Sequence, residues 1–114
     1  MADGEKINIV IVAGADFTFT KPWNDDNGNP INLTGSTINA QLRQFSEASD
    51  YFDFVCTNNG QGGEITIKMS KDVTKHIAWT SGVYDVFVTP SGGLRSKVFY
   101  GNAEIYHNVT KQYS

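Results

Sequence analysis

Segments in which apolar and polar residues alternate recur along most of this chain, and clusters of Gly, Asn, Asp and Pro separate them. A period of two places successive side chains on opposite faces of a β-strand, and the clusters are typical of tight turns. Ile38, Ala40 and Leu42, for example, alternate with Asn39 and Gln41. The pattern predicts about seven to nine short strands in one antiparallel β-sandwich.

The same alternation predicts the core, because the apolar face of each segment is expected to point between the two sheets. Cys56 alternates in phase with Phe52 and Phe54, and no basic group activates it, so it is expected to be a small core residue. The side chains assigned to the core are Ile9, Phe17, Phe19, Leu33, Ile38, Leu42, Phe54, Ile65, Ile67, Tyr84, Val86 and Ile105.

A helical signal occurs at residues 70–78. Ser70 can cap a helix there, and Val73 and Ile77 lie at i and i+4, so both side chains can face inward. The segment allows about two turns. It therefore predicts one short connector helix or 3₁₀ turn between strands.

Size and charge limit the possible classes. The 114 residues predict a single domain, 1–114, with polar ends at 1–5 and 111–114. The net charge is -3 and no run of Lys or Arg occurs, so neither nucleic acid nor a membrane surface is an expected partner. The longest apolar stretch, residues 9–13, is too short to span a bilayer. One cysteine and an acidic, polar start favour synthesis in a reducing cytoplasm.

No recognisable catalytic, cofactor-binding or metal-binding constellation occurs in the sequence, so neither enzyme activity nor a cofactor is expected. Asp25, Asp26 and Asn27 precede Gly28 as in a calcium loop. The position at which such a loop has its glutamate is Thr34, and no helix flanks the segment. A plain β-turn is therefore favoured over a metal site.

Other polar residues have a structural interpretation. His76 and His107 are expected to be surface or half-buried residues, because no Cys, Asp or His is assigned to either as a partner at ligand spacing. Asp85 lies within an apolar strand, where a carboxylate should face solvent or pair with an arginine of a neighbouring strand. Arg43 and Arg95 are the candidate partners.

Short motifs follow one another in a fixed order along almost the whole chain. They are G-A-D-F (14–17), G-N-P-I-N-L-T-G (28–35), A-Q-L-R (40–43), G-E-I-T-I (63–67), a connector containing Thr74, G-V-Y-D-V (82–86), G-N-A-E-I (101–105) and N-V-T (108–110). The ordered set resembles a widespread family of small virion proteins of tailed bacteriophages.

The resemblance implies an immunoglobulin-like β-sandwich, present in many identical copies per particle and without catalysis. It implies a structural protein of the tail, neck or baseplate, or a fibre adaptor, that contacts other virion proteins and copies of itself. The expected location is the virion, after synthesis in the host bacterial cytoplasm. Gly35 and Gly82 are expected to follow turns with positive φ, and Leu33 and Tyr84 to fill the core.

Two alternatives stay open. Similar sandwiches also decorate or cement the capsid. A carbohydrate-binding module, which is a different class of protein, would use aromatic side chains exposed on one face. The candidates for that role are Trp23, Trp79, Tyr51 and Tyr106.

Two kinds of surface are predicted to contact partner proteins. The first strand, residues 6–13, is apolar on both faces and lacks a proline, or a charge beyond Lys6, that would protect an exposed edge. We expect a neighbouring subunit, rather than a loop of the same chain, to cover its outer face. Polar turns form the other surface, because function in sandwiches concentrates in loops. The predicted interface residues are Ile9, Val10, Val12, Asp25, Asp26, Asn27, Asn58 and Asn59.

Overall fold

The computed structural model describes residues 4–108, which form two β-sheets packed face to face. The strands are β1 (Glu5–Lys6), β2 (Ile9–Val12), β3 (Phe17–Pro22), β4 (Thr37–Arg43), β5 (Phe52–Asp53), β6 (Val55–Asn58), β7 (Glu64–Met69), β8 (Ser81–Thr89) and β9 (Ser96–Tyr106). Residues 1–3 of the predicted N-terminal end, the predicted end at 111–114 and the last two positions of the N-V-T motif lie outside the described residues.

The order of strands in the two sheets is that of an immunoglobulin-like sandwich. The larger sheet has the order β1-β9-β8-β4-β5, with β2 also paired to β9, and the smaller sheet has the order β3-β7-β6. The chain passes from β3 in the smaller sheet to β4 in the larger one, returns for β6 and β7, and ends with β8 and β9 in the larger sheet. From β3 onward this is the division of strands between the sheets of an immunoglobulin domain, and the predicted fold class is confirmed.

The N-terminal strands are an exception to the predicted antiparallel pairing, because β1 and β2 both run parallel to β9. Ile9 pairs with Ala103 and Val12 with Tyr106. The chain between β1 and β2 crosses Gly101, where an added Cβ would lie 2.0 Å from the carbonyl oxygen of Ile7. Glycine at this position is what allows the close approach. A period of two carries no information about the direction of the partner strand.

The predicted core is largely confirmed. Nine of its members are buried, and the three others, Phe17, Phe19 and Ile38, are half-buried and pack against the core. The Phe17 ring lies 5.9 Å from the ring of Phe54. Phe99, which the alternation did not assign to the core, is fully buried.

A β-bulge explains why Phe99 was missed. The register between β8 and β9 shifts between Val86 and Phe87, so that Val86 faces Phe99 whereas Phe87 faces Lys97. Val98 is therefore an extra residue, and it is buried together with Phe99. An inserted residue reverses the phase of every later side chain in a strand. Tyr100 consequently points away from the core.

The alternating segment around Phe54 belongs to both sheets. β5 pairs with β4 in the larger sheet, and β6 pairs with β7 in the smaller one. Phe54 lies between them, is buried, and donates its amide to the carbonyl oxygen of Ala40. The alternation is confirmed, since Phe52 and Cys56 are half-buried while Val55 is exposed.

The connector is shorter than predicted: α1 is a single turn, Lys71–Thr74. Ser70 makes no side-chain cap, and its carbonyl oxygen instead accepts the amides of Val73 and Thr74. The carboxylate of Asp16 accepts the amide of Lys71, and so caps the turn from another segment. Ile77 is buried, as predicted, and Val73 is half-buried. Among residues 4–108, no helix is long and apolar enough to cross a membrane.

Candidate interaction surfaces

The predicted first interface lies on β2, at the edge of the larger sheet. Ile9 and Ile11 face the core and are 5% and 0% exposed, whereas Val10 faces outward and is 48% exposed. Val12 is half-buried. The side chain of Ile9 therefore belongs to the core and not to the outer surface, because the period of two divides the strand between the two faces.

The outer edge of β2 has no partner strand among residues 4–108. The amides of Ile7 and Ala13 are directed to the carbonyl oxygens of Tyr100 and Tyr106 in β9. Backbone groups alternate in direction along a strand, so those of Val10 point to the opposite edge. The part of the chain that the structure describes leaves about half of Val10 exposed. An exposed apolar side chain thus lies beside an unpaired strand edge.

The second predicted interface begins with the turn at residues 24–30. One carboxylate oxygen of Asp25 accepts the amides of Asn27 and Asn29, each at 2.9 Å, and the amide of Asp25 donates to the Asn29 carbonyl oxygen. These bonds use the carboxylate to hold the turn, as in an Asx-turn. No group of three or more His, Cys, Asp or Glu side chains among residues 4–108 could hold a metal ion. The geometry is that of the β-turn favoured from the sequence. Asp26 and Asn27 are exposed beside it.

Asn58 and Asn59 hold the turn that joins β6 to β7. The side-chain oxygen of Asn58 accepts the amide of Gly60, and that of Asn59 accepts the amide of Glu64. The residues that follow Asn59, Gly60–Gly62, form one 3₁₀ turn. The turn closes a hairpin of the antiparallel strands β6 and β7, and both asparagines are exposed.

The structure brings these two turns to the same end of the sandwich. The amide of Trp23 donates to the Gly63 carbonyl oxygen at 2.7 Å, and the amide of Leu33 donates to the Gly60 carbonyl oxygen at 2.9 Å. The predicted interface thus divides into two surfaces. One is the outer edge of β2, and the other is the loop end formed by residues 24–30 and 58–63.

Cys56 lacks the environment of a reactive thiol. Burial, and to a smaller extent the nearby carboxylate of Asp53, raises the pKa of Cys56 from 9.0 to about 11. A thiol is nucleophilic only as the thiolate, so this side chain is unreactive at neutral pH. Both histidines are exposed, and the His107 ring lies 3.1 Å from the Trp79 carbonyl oxygen.

Of the two arrangements expected for Asp85, pairing with an arginine is absent among residues 4–108, and the residue lies half-buried in the outward phase of β8. Arg43 instead donates to the carbonyl oxygen of Ala48 and to Oε1 of Gln41. The Arg95 guanidinium lies 3.7 Å above the ring of Phe87. Both arginines therefore use neighbouring polar atoms or rings rather than the carboxylate.

The aromatic residues considered for glycan binding do not form one platform. Trp23 and Trp79 are half-buried and pack against the core. The ring of Tyr51 is covered by the Arg43 guanidinium at 4.7 Å, and Tyr106 is exposed on β9. Tyr51, which is 47% exposed, and Trp79 line one groove of about 590 Å³, but Trp23 and Tyr106 do not, so the four rings do not make one stacking surface.

Sequence reasoning missed a groove of about 660 Å³ on the outer face of the larger sheet. Val83, Phe87 and Tyr100 are among its lining residues, and each is half-buried with its side chain turned away from the core. The sequence of β8 contained a signal for this groove. Val83 and Phe87 make the outward face of the strand apolar, in addition to the face that points to the core. The positively charged residues of the groove come from separate segments. They are Lys6, Arg43, Arg95 and Lys97.

Comparisons with known proteins add a likeness of shape. No protein-family profile matches the chain, and no curated protein matches it. Among solved structures, a family 123 glycoside hydrolase from Clostridium perfringens, studied for glycolipid glycan hydrolysis, matches with a TM-score of 0.42 and 12% identity. The match covers 92% of this chain and 23% of the hydrolase chain. This chain thus spans about a quarter of that protein, and a likeness this low carries no argument about activity.

Proposed function

We propose that this protein is a non-catalytic structural component of a tailed-bacteriophage virion. It acts in the tail, neck or baseplate, or as a fibre adaptor, through contacts with other virion proteins and with copies of itself. The observation that carries the proposal is an exposed valine, Val10, on the unpaired edge of an immunoglobulin-like sandwich built from the ordered motifs.

The motif residues support this assignment because they hold the sandwich together. Leu33 and Tyr84 are buried, and Gly35 has a φ of 78° at the turn before β4. Thr74 is buried, where its hydroxyl donates to the Ala15 carbonyl oxygen and accepts the Gly14 amide. The motif residues on which the resemblance to the virion family depends therefore stabilise the sandwich fold.

Glycine is needed at position 82 for a different reason from the positive φ that was expected. The φ angle of Gly82 is not positive. A Cβ at this position would lie 2.5 Å from both the Arg43 carbonyl oxygen and the ring of Trp79. Gly82 is thus required for close packing, which is a role that no other residue can fill without a shift of the neighbours.

The edge of β2 supports assembly through protein contacts. An unpaired strand edge is a template for pairing with another chain, and monomeric sandwiches usually protect such edges. A partner that added a strand would use the free backbone groups and cover Val10 at the same time. The loop end at 24–30 and 58–63 provides a second exposed surface on a rigid base.

The copy number in purified particles tests the proposal. We expect cryo-EM of the parent particle to show this sandwich at about six or twelve copies, as the ring symmetry of tails implies. Hundreds of copies on the head would support the alternative of a capsid decoration protein. Absence from purified, infectious particles would contradict both assignments.

A further inference from the structure

The groove on the outer face of the larger sheet concentrates positive charge on an acidic protein. Lys6, Arg43, Arg95 and Lys97 line it, against one carboxylate, Asp85. The whole chain has 9 Lys and Arg and 12 Asp and Glu. Removing these five groups leaves 9 - 4 = 5 positive and 12 - 1 = 11 negative side chains. The groove therefore has a net charge of +3, while the rest of the chain has -6.

Aromatic rings hold two of these cations in place without neutralising them. The Arg95 guanidinium lies 3.7 Å from the ring centroid of Phe87, and the Lys97 ammonium lies 5.2 Å from that of Tyr100. Cation-π contacts fix the position of a cation but leave its charge in place. Among residues 4–108, the salt bridges join Glu5 to Lys21 and Asp72 to Lys75, so none uses a cation of the groove.

Arg43 is held at the opposite side of the groove. It donates to Oε1 of Gln41 at 2.9 Å and to the carbonyl oxygen of Ala48, both of them uncharged acceptors. Phe45, which is 57% exposed, lies beside it. The groove thus combines positioned cations with an exposed apolar side chain.

We propose that this groove binds an acidic peptide segment, an extended stretch rich in Asp and Glu, of a partner protein. Carboxylates are the natural partners of positioned guanidinium and ammonium groups. The proposal deepens the proposed function and rests on it only for the identity of the partner as another virion protein.

Two observations favour a peptide over other polyanions. Arg95 lies over the ring of Phe87 and Lys97 over that of Tyr100, which leaves Phe45 as the exposed ring of the groove lining. A strand of bases would need a series of free rings on which to stack. A long nucleic acid would also pass surfaces on which acidic groups predominate, because the chain outside the groove has a net charge of -6. A short acidic segment contacts the groove alone, and beyond a Debye length of about 8 Å the remaining charges are largely screened.

Fluorescence anisotropy with labelled hexaglutamate tests the proposal on the full chain. We expect saturable binding that weakens as salt is added, since exposed charges are screened. Labelled hexaglutamine, which has the same length without the charge, should not bind. Absence of hexaglutamate binding at low salt would overturn the proposal.

Two lysines of regular strands provide a matched pair of variants. Lys97 lies in the groove, whereas Lys68 is an exposed residue of β7 in the smaller sheet. Lys97→Glu and Lys68→Glu change the net charge equally. We expect Lys97→Glu to weaken hexaglutamate binding by roughly tenfold, because an attraction becomes a repulsion, and Lys68→Glu to leave it unchanged.

Equal weakening by the two variants would show a general charge effect and would overturn the groove assignment. Labelled oligothymidylate and hyaluronate distinguish other polyanions. Tighter binding of either one, lost in Lys97→Glu, would replace the peptide by a nucleic acid or an acidic glycan. The binding assay uses the purified protein and does not depend on incorporation into particles. A negative result in this assay therefore contradicts the peptide proposal without contradicting the virion proposal.

Discussion

The Tyr84 hydroxyl donates a 2.6 Å hydrogen bond to the carbonyl oxygen of Ile7. The bond joins β8, inside the larger sheet, to the chain between β1 and β2 at its edge. The Tyr84 ring lies 6.2 Å from that of Phe54 and 6.1 Å from that of Phe99. Burial raises the pKa of Tyr84 well above its usual range, so the hydroxyl stays a donor at all physiological pH values. One side chain therefore fills the core and fastens the N-terminal segment.

Tyr84→Phe removes the hydroxyl and leaves the Ile7 carbonyl oxygen without this donor. We expect a loss of about 1–2 kcal/mol in the free energy of unfolding, as for other buried hydrogen bonds. Urea denaturation measures it. Tyr106→Phe is the control, because Tyr106 is 54% exposed, and we expect a change within about 0.5 kcal/mol. Equal values for the two variants would show that the bond adds nothing to stability.

Phe54→Ala tests the point at which the chain changes sheets. Phe54 is buried and packs against Phe17 and Tyr84. Truncation leaves a cavity between the sheets, and we expect a loss of about 3–5 kcal/mol in urea denaturation. Val55→Ala, at an exposed neighbour, should have little effect. The assignment of Phe54 to the core would be contradicted if Phe54→Ala melted within a degree or two of the wild type. A shift of that size corresponds to about a few tenths of a kcal/mol.

Val10→Asp places a charge on the outer face of β2. Because Val10 is 48% exposed, we expect the variant to fold with little loss of stability but to fail to enter particles. Under the proposed virion function, the measurement is complementation of the parent phage lacking the wild-type gene, followed by analysis of purified particles. Val55→Asp is the matched control, since Val55 is 63% exposed on β6, at the edge of the smaller sheet. Normal incorporation of folded Val10→Asp protein would rule out a partner at this edge.

The Cys56 thiol should react slowly while the protein is folded. Its pKa is raised from 9.0 to about 11, so at pH 8 the folded protein holds far less thiolate than the unfolded chain. Alkylation by iodoacetamide should therefore accelerate when urea unfolds the protein. Stability should also fall as the pH rises from 9.0 to about 11, because over that range the unfolded chain releases the proton while the folded one keeps it. Cys56→Ala should lose this part of the pH dependence.

Calcium should leave the thermal unfolding of the protein unchanged. The Asp25 carboxylate already accepts two amides of its own turn. A bound cation would raise the melting temperature by an amount that grows with the logarithm of the free calcium concentration above the dissociation constant. The measurement compares samples with added calcium and with a chelator. A rise with calcium, or stoichiometric metal in chelator-free protein, would contradict the expectation that no cofactor is bound.

The sequence was sufficient for the fold class and for most of the core. In β4 the alternation of Ile38, Ala40 and Leu42 with polar residues assigned each face correctly, because a strand has only two faces and water selects the polar one. Local turn chemistry was equally readable. Asp25 and Asn58 hold turns through their own neighbours, so the bonds they make depend on nearby sequence alone.

Tertiary structure alone decided the features that join distant segments. The parallel pairing of β2 with β9, the bulge at Val98 and the cap of α1 by Asp16 each depend on a partner that a local pattern does not specify. The groove has the same origin, since Lys6, Arg43 and Lys97 lie far apart in the chain and meet only across β1, β9, β8 and β4. Periodicity determines which face a side chain takes, whereas sheet order determines which side chains share that face.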